Sequence, residues 1–363
     1  MPGSIVRRRE PDAQSLYTFC MSLIVVSSER FAEHVTPPGH PESPERAEVM
    51  DVVAAEWRAG GGEVVAPRSA SREQLARVHS PEHLRRMAET TGVAVALDPD
   101  TYTSPETYEV ALLSAGAAVE GVERVMGSPG TRALVLSRPP GHHAERNRAM
   151  GFCFFNNVAV AAAHARTSGA RRVAIVDFDV HHGNGTQDIF DDDAEVLYLS
   201  MHQFPYYPGT GDAREVGRGA GAGRTVNIPM EAGATDDDYR IVFEQIVSPV
   251  MDQFSPDLVL VSAGFDAHER DPLGGMRVTT EGFAAMTAML RRTADQHCDG
   301  RIVLVTEGGY DLHALGACMR ATVDVLAAES CPVAHWPVAT MASSRGYAAV
   351  SATKAAQTKF WKF

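Results

Sequence analysis

The sequence predicts an α/β protein, a parallel sheet covered by helices on both faces, in one domain from about residue 21 to about residue 330. Three observations predict it. From Thr131 onward, short runs of continuously apolar, β-branched residues alternate with stretches of helical spacing. A strand buried on both faces needs such a run, because neither of its sides meets water. No linker-like composition interrupts the series, so nothing marks a second domain. Five of the runs end in polar or aromatic residues, and parallel sheets bind ligands at the carboxyl ends of their strands.

The first strand is expected at SLIVVS, directly after Met21, itself an alternative start of translation. Residues 1–20 hold a short basic patch without the apolar core of a signal peptide, and read as a disordered extension. Three helices are expected to open on one tripeptide: SPER at Ser43, SPEH at Ser80 and SPET at Ser104. Serine caps free amides, proline fits the first helical position, and an early glutamate favours the positive end of the helix dipole. Then come RALVLS, a helix over 157–166, VAIVDF, VLYLS, TVNIP, a helix over 238–254, DLVLVSAG, a helix over 282–296, RIVLVTEGG and a helix over 312–326. Residues 331–363, rich in Ala, Ser and Thr with an aromatic end, are either a docked helix or a loose tail.

Composition excludes several function classes. Asp plus Glu outnumber Lys plus Arg by 46 to 33, and the resulting charge of −13 repels a nucleic-acid backbone. No apolar run approaches the roughly 20 residues that span a bilayer, so a soluble chain without a membrane partner is expected. The 5 cysteines are odd in number and form no C-x-x-C pair, which argues against a disulfide framework or a thiolate zinc site and fits a cytoplasmic location. The sequence leaves a homo-oligomer open.

The chemistry concentrates at the strand ends. In VAIVDFDVHHGNG, residues 173–185, alternate residues of an extended chain point the same way, so Asp177, Asp179 and His181 share one side. Asp179, His181 and Asp266 together offer two carboxylates and an imidazole, a set that holds a divalent ion and leaves a position open for water. Zinc suits it, and iron(II) or cobalt(II) would also bind. The adjacent His142 and His143 face differently and supply a base for the attacking water and a proton for the departing amine. Asp177 is placed to orient one imidazole and Asn184 the other, so the two should differ in pKa. Tyr310 follows Glu307-Gly308-Gly309, whose glycines give the backbone freedom to bring a phenol to a developing oxyanion. Phe152, Tyr207 and Leu273, each beside a glycine or proline turn, are candidates for the walls of a slim apolar channel. Cys153 nearby reads as a small buried residue.

Taken together, RPPGHH, GFCFFNN, DFDVHHGNGTQDIF, YYPGTG, SAGFDAHERDPLGG and EGGYD resemble the histone deacetylase family, from HPESPER near His40 to the helix after Tyr310. Asn184, DPLGG and the spacing are similar to the class II branch and its bacterial histone deacetylase-like amidohydrolases. The resemblance implies the arginase/deacetylase fold, with a single domain built on eight parallel strands, and hydrolysis of an acylated amine at zinc. It implies Asp179, His181 and Asp266 as zinc ligands, His143 as general base and acid, His142 as mainly electrostatic, and Tyr310 as the catalytic tyrosine. Gly151, Phe152, Tyr207 and Leu273 match an acetyl-lysine tunnel, with Tyr207 where many members carry phenylalanine. Asp177, with Asp179 and the backbone around His181, Ser200 and Met201, matches a structural potassium site. Asp100 matches a rim carboxylate that grips the substrate backbone.

The expected partner is an acetylated lysine in a protein or peptide, or an acetylated small amine. Leu273, after Asp271-Pro272, stands where the polyamine-directed branch tends to carry an acidic residue, which tilts the expectation away from polyamines. A silent acyl-lysine binding module would lack a ligand, base or tyrosine, and none is missing. Arginase-type hydrolysis needs two metals and further aspartates.

Overall fold

In this computed structural model residues 22–337 and 344–363 are described; the expected extension over residues 1–20 lies outside them. The seven apolar runs and one further segment form eight strands: β1 (Ser22–Val26), β2 (Glu63–Val65), β3 (Thr131–Val135), β4 (Val173–Asp177), β5 (Val196–Gln203), β6 (Thr225–Met230), β7 (Leu258–Ala263) and β8 (Ile302–Thr306). All pair in parallel, in the order β2-β1-β3-β8-β7-β4-β5-β6. Strand β2 has no counterpart among the runs read from sequence, because three residues, one exposed and two half-buried, are too short to show a period.

Alternate residues of one strand feed two cores. Leu23 and Val25 enter one with the helices Thr280–His297 and Leu312–Ala327, whereas Ile24 and Val26 enter the other with Thr107–Gly127 and Asn157–Thr167. Helices on both faces therefore follow from the apolar runs. The segment expected as one helix over 238–254 is Asp236–Val242, a wider π-type turn at Phe243–Val247, and Ser248–Phe254. Pro249 has no N–H for the carbonyl four residues back, and the turn before it widens.

Only one of the three Ser-Pro-Glu openings is a serine cap. Ser80 accepts from the His83 amide, with Pro81 in the first turn. The helix expected at Ser43 begins at Glu45 behind Pro44, without a side-chain cap. The one expected at Ser104 begins at Thr107, because the Ser104 hydroxyl instead accepts from the Val35 amide across the fold. Helix Ser344–Gln357 lies along edge strand β6, where Thr353 Oγ1 and Gln357 Nε2 donate to Asn227 O and Thr225 O at 3.0 and 2.7 Å. Trp361 is buried and donates to Gly223 O at 2.8 Å.

The strand order positions the site. After β3 the chain skips to β4, and β7 and β8 later fill the gap. The carboxyl ends of β3, β8, β7 and β4 thus lie side by side, where a parallel sheet opens a crevice.

Candidate active site

Past the end of β4 the chain keeps its alternation. Phe178 and Val180 enter the core, while Asp177, Asp179 and His181 turn to the opposite side. The loop after β7 brings Asp266, whose Oδ1 accepts from Val180 N at 2.8 Å. Ligand atoms of Asp179, His181 and Asp266 lie within 4.8 Å of one another. His181 Nδ1 is 3.1 Å from both Asp179 Oδ1 and Asp266 Oδ2. The loop after β8 approaches so closely that a Cβ on Gly308 would lie 2.1 Å from Asp266 Oδ2, so only glycine fits there.

The charges fit a bound cation. Asp179 and Asp266 are fully buried, and among the described residues only histidines pair with them. Burial, reinforced by the Asp179 charge, pushes Asp266 up to about 7. Burial opposes a charged His181, yet the two carboxylates push it up to about 10. A cluster that draws positive charge out of water this strongly suits a divalent ion held by two oxygens and a nitrogen.

The tandem histidines from the loop after β3 have ring centroids 4.1 Å apart, tilted by 44°, each with its own partner. His142 Nδ1 meets Asp177 Oδ2 at 3.0 Å, and its Nε2 lies 3.8 Å from Asp179 Oδ1. His143 Nδ1 meets Asn184 Oδ1 at 2.8 Å. Asn184 spends its Nδ2 on Glu145 Oε1 at 2.8 Å, which fixes its oxygen as the acceptor. His143 therefore carries its proton on Nδ1 and keeps the Nε2 lone pair free. The expected split in pKa is present: burial disfavours the charge on both rings, but Asp179 and Asp177 raise His142 well above its ordinary value. His143 is lowered by burial and by the neighbouring charges of His142 and His181.

Tyr310 sits on a turn that Gly309 enters at φ +124°. Burial, with Asp266 next, holds its phenol well above the ordinary value, so it stays a donor. Phe152 packs edge-on to Tyr310 at 6.0 Å, and Tyr207 edge-on to His143 and His181 at 5.2 and 6.0 Å. Gly151 and Phe152 both have positive φ, 58° and 68°; for phenylalanine this costs on the order of 1 kcal/mol and points its ring where a relaxed backbone would not. A Cβ on Gly151 would lie 2.5 Å from the His143 ring. Leu273 is partly buried, and its carbonyl accepts from Tyr206 OH at 3.0 Å.

Asp100 stands apart from the ligand cluster. It accepts from Thr101 Oγ1, which accepts in turn from Phe152 N at 3.1 Å, and burial with Asp98 beside it raises its pKa. Asp177 and Ser200 are register partners across β4 and β5; Asp177 also takes Tyr198 OH at 3.0 Å, and Met201 follows in the core.

Sequence reasoning missed four residues of the site. Buried Glu307 accepts from the Gly141 and His142 amides at 2.6 and 3.1 Å and from Ser262 Oγ, with burial pushing it up to about 7. Asp271 accepts from the Tyr310 amide at 2.7 Å. Tyr206 stacks on His181 at 5.6 Å, and the Arg46 guanidinium lies 5.1 Å over the Tyr310 ring. All four fall inside or beside the quoted motifs, the one signal that could have found them.

Comparison with known proteins gives the family and the fold. A family model described as the histone deacetylase domain matches residues 40–326. The histone deacetylase-like amidohydrolase of Pseudomonas aeruginosa is 41% identical over 305 residues, 80% of this chain and 79% of that one. The polyamine deacetylase HDAC10 of Homo sapiens is 41% identical over 309 residues, 81% of this chain but 45% of that longer one. The crystal structure of the HDA15 HD domain superposes with a TM-score of 0.85 at 36% identity, covering 94% of this chain and 96% of that one. The chain belongs to the histone deacetylase family and has its arginase/deacetylase fold. Its relatives carry the names of hydrolases that act on amides.

Proposed function

We propose that this protein is a metal-dependent deacetylase that hydrolyses the amide of an acylated amine, with acetyl-lysine side chains as its foremost substrate. One observation carries the reading: Asp179, His181 and Asp266 converge beside two histidines whose partners set them to opposite protonation states. Asp179, His181 and Asp266 would hold zinc, or iron(II) or cobalt(II) in its place. That ion would polarise the acyl carbonyl and make water more acidic.

The residues divide the remaining work. His143, its Nδ1 proton held by Asn184, takes a proton from the attacking water at Nε2 and returns it to the departing amine. His142, charged beside Asp177, stabilises negative charge as it develops. The Tyr310 hydroxyl donates to the tetrahedral oxyanion. Gly151, Phe152, Tyr207 and Leu273 line the slot for the slim side chain, and Asp100 grips substrate at its rim. The family resemblance adds a structural potassium ion at Asp177, Asp179, His181, Ser200 and Met201.

A second substrate class, acetylpolyamines, is favoured by the relationship to the human polyamine deacetylase. Purified protein assayed on acyl-lysine peptides and acylpolyamines, with chelator and after refilling with each metal, tests both. Activity should vanish with chelator and return with metal; unaffected turnover would sink the reading. Tyr310→Phe should lower turnover by roughly 10² to 10³ with metal content unchanged.

A further inference from the structure

Beneath the site, three charged side chains are buried to 0% exposure: Glu42, Arg46 and Arg138. Glu42 precedes the helix Glu45–Ala59, Arg46 lies in its first turn, and Arg138 lies four residues before the tandem histidines. Glu42 Oε1 accepts from Arg46 Nη1 at 2.9 Å and from Arg138 Nε at 2.6 Å. Guanidinium groups cannot shed their protons in a protein, so two permanent buried positive charges share this one carboxylate. Burial works to raise its pKa, but Arg138, His34 and Arg46 hold it far below the usual carboxylate range.

The two arginines differ in what else holds them. Arg138 also donates to the carbonyls of Phe31, His34 and Glu42, and keeps these without the carboxylate. Arg46 otherwise donates to Gly309 O at 2.8 Å and to Glu307 O, the carbonyls on either side of Gly308. That turn carries Tyr310, and the same guanidinium covers the Tyr310 ring. Without Glu42, Arg46 is tied only to the turn it has to hold still.

We propose that Glu42 is a positioning residue for Tyr310: its carboxylate fixes Arg46, and Arg46 fixes the Gly308-Gly309-Tyr310 turn. The proposal rests on the reading of Tyr310 as the oxyanion donor. Asp271 anchors the same turn through the Tyr310 and Asp311 amides, but only the Glu42–Arg46 anchor also touches the ring.

A double-mutant cycle tests it. Glu42→Gln keeps the shape and removes the charge. In the native background kcat should fall roughly 10- to 100-fold, the scale of a small misplacement of a reacting group, with KM changed less than about threefold. In a Tyr310→Phe background the same substitution should cost less than about threefold, because effects that run through one group do not add. Amide exchange over residues 306–312 should quicken in Glu42→Gln and not in Glu56→Gln, whose partner Arg320 lies on the surface. An equal factor in both backgrounds, or unchanged kcat and exchange, overturns the proposal. If Glu42→Gln does not fold, Arg46→Lys replaces it in the cycle. Lysine keeps the charge but cannot span both carbonyls, and an additive result there is equally decisive. Native protein inactive on every acylated amine sinks the functional reading instead, whereas an active native protein with an additive cycle sinks this inference alone.

Discussion

Two pairs of buried histidines lie in different regions of this molecule. His142 and His143 sit at the carboxyl end of the sheet with rings 4.1 Å apart, and His79, just before the helix Pro81–Ala88, and His83, in its first turn, have rings 4.7 Å apart. The geometry is alike and the chemistry is not. His79 donates from Nδ1 to Glu145 O and accepts at Nε2 from Asn156 N, while His83 Nε2 donates to Phe154 O. Those partners are backbone groups that suit neutral rings, and burial lowers both pKa values, His79 to about 3. Around His142 and His143 a carboxylate on one ring and an amide on the other split the pair, one raised and one lowered. Burial makes an imidazole sensitive, and its partner decides which state the sensitivity favours.

The largest test of this contrast is His143→Ala. If the lowered ring is the base, activity at neutral pH should fall by roughly 10² to 10⁴ while metal content, measured by elemental analysis, stays the same. A fully active variant would reduce the tandem pair to the standing of the structural pair. A smaller effect is expected for Asp177→Asn, which removes a charge that raises His142. Turnover should drop by about 10- to 100-fold, as for other lost partners behind a metal site. The His142 imidazole resonances should move toward the neutral form at pH 7 in nitrogen NMR. An unshifted ring would show that the other carboxylates around it, Asp179 foremost and Glu307, set its state.

The same contrast explains what the sequence could disclose. Asp177, Asp179 and His181 were legible because a period of two survives past the end of β4 and sorts them from Phe178 and Val180. The pairings of Asp177 and Asn184 with the tandem histidines followed from the need of two imidazoles for two different partners, and both are present. Glu307, Asp271 and Arg46 were not legible, since each meets backbone groups of loops distant in the chain, and backbone groups leave no mark in a sequence. Glu307 meets amides 166 and 165 residues away. The Ser104 opening failed for a related reason: a residue with the right local grammar was claimed by Val35, 69 positions earlier. Local rules foretold seven of the eight strands and the shared side of Asp177, Asp179 and His181, and tertiary contacts decided the caps and the buried polar anchors.

The smallest effect concerns the structural pair and reads out in stability. His79 titrates at about 3 in the fold against an ordinary 6.5. Between those values the unfolded chain binds the extra proton and the folded chain does not, so stability rises with pH across this window and is fully present above it. At pH 5 the loss from this one ring is about 2 kcal/mol, at 1.36 kcal/mol per pH unit. His202, held at about 4 by burial, adds in the same direction. Denaturant midpoints at pH 7 and pH 5 should therefore differ in the native chain, and His79→Gln should flatten the difference by about one proton's worth. The substitution should leave the acid limb of the activity profile where it was, because His79 meets backbone groups and no ligand carboxylate. If His79→Gln moved the activity profile and left the stability slope unchanged, the division between a structural and a functional pair would have to be abandoned.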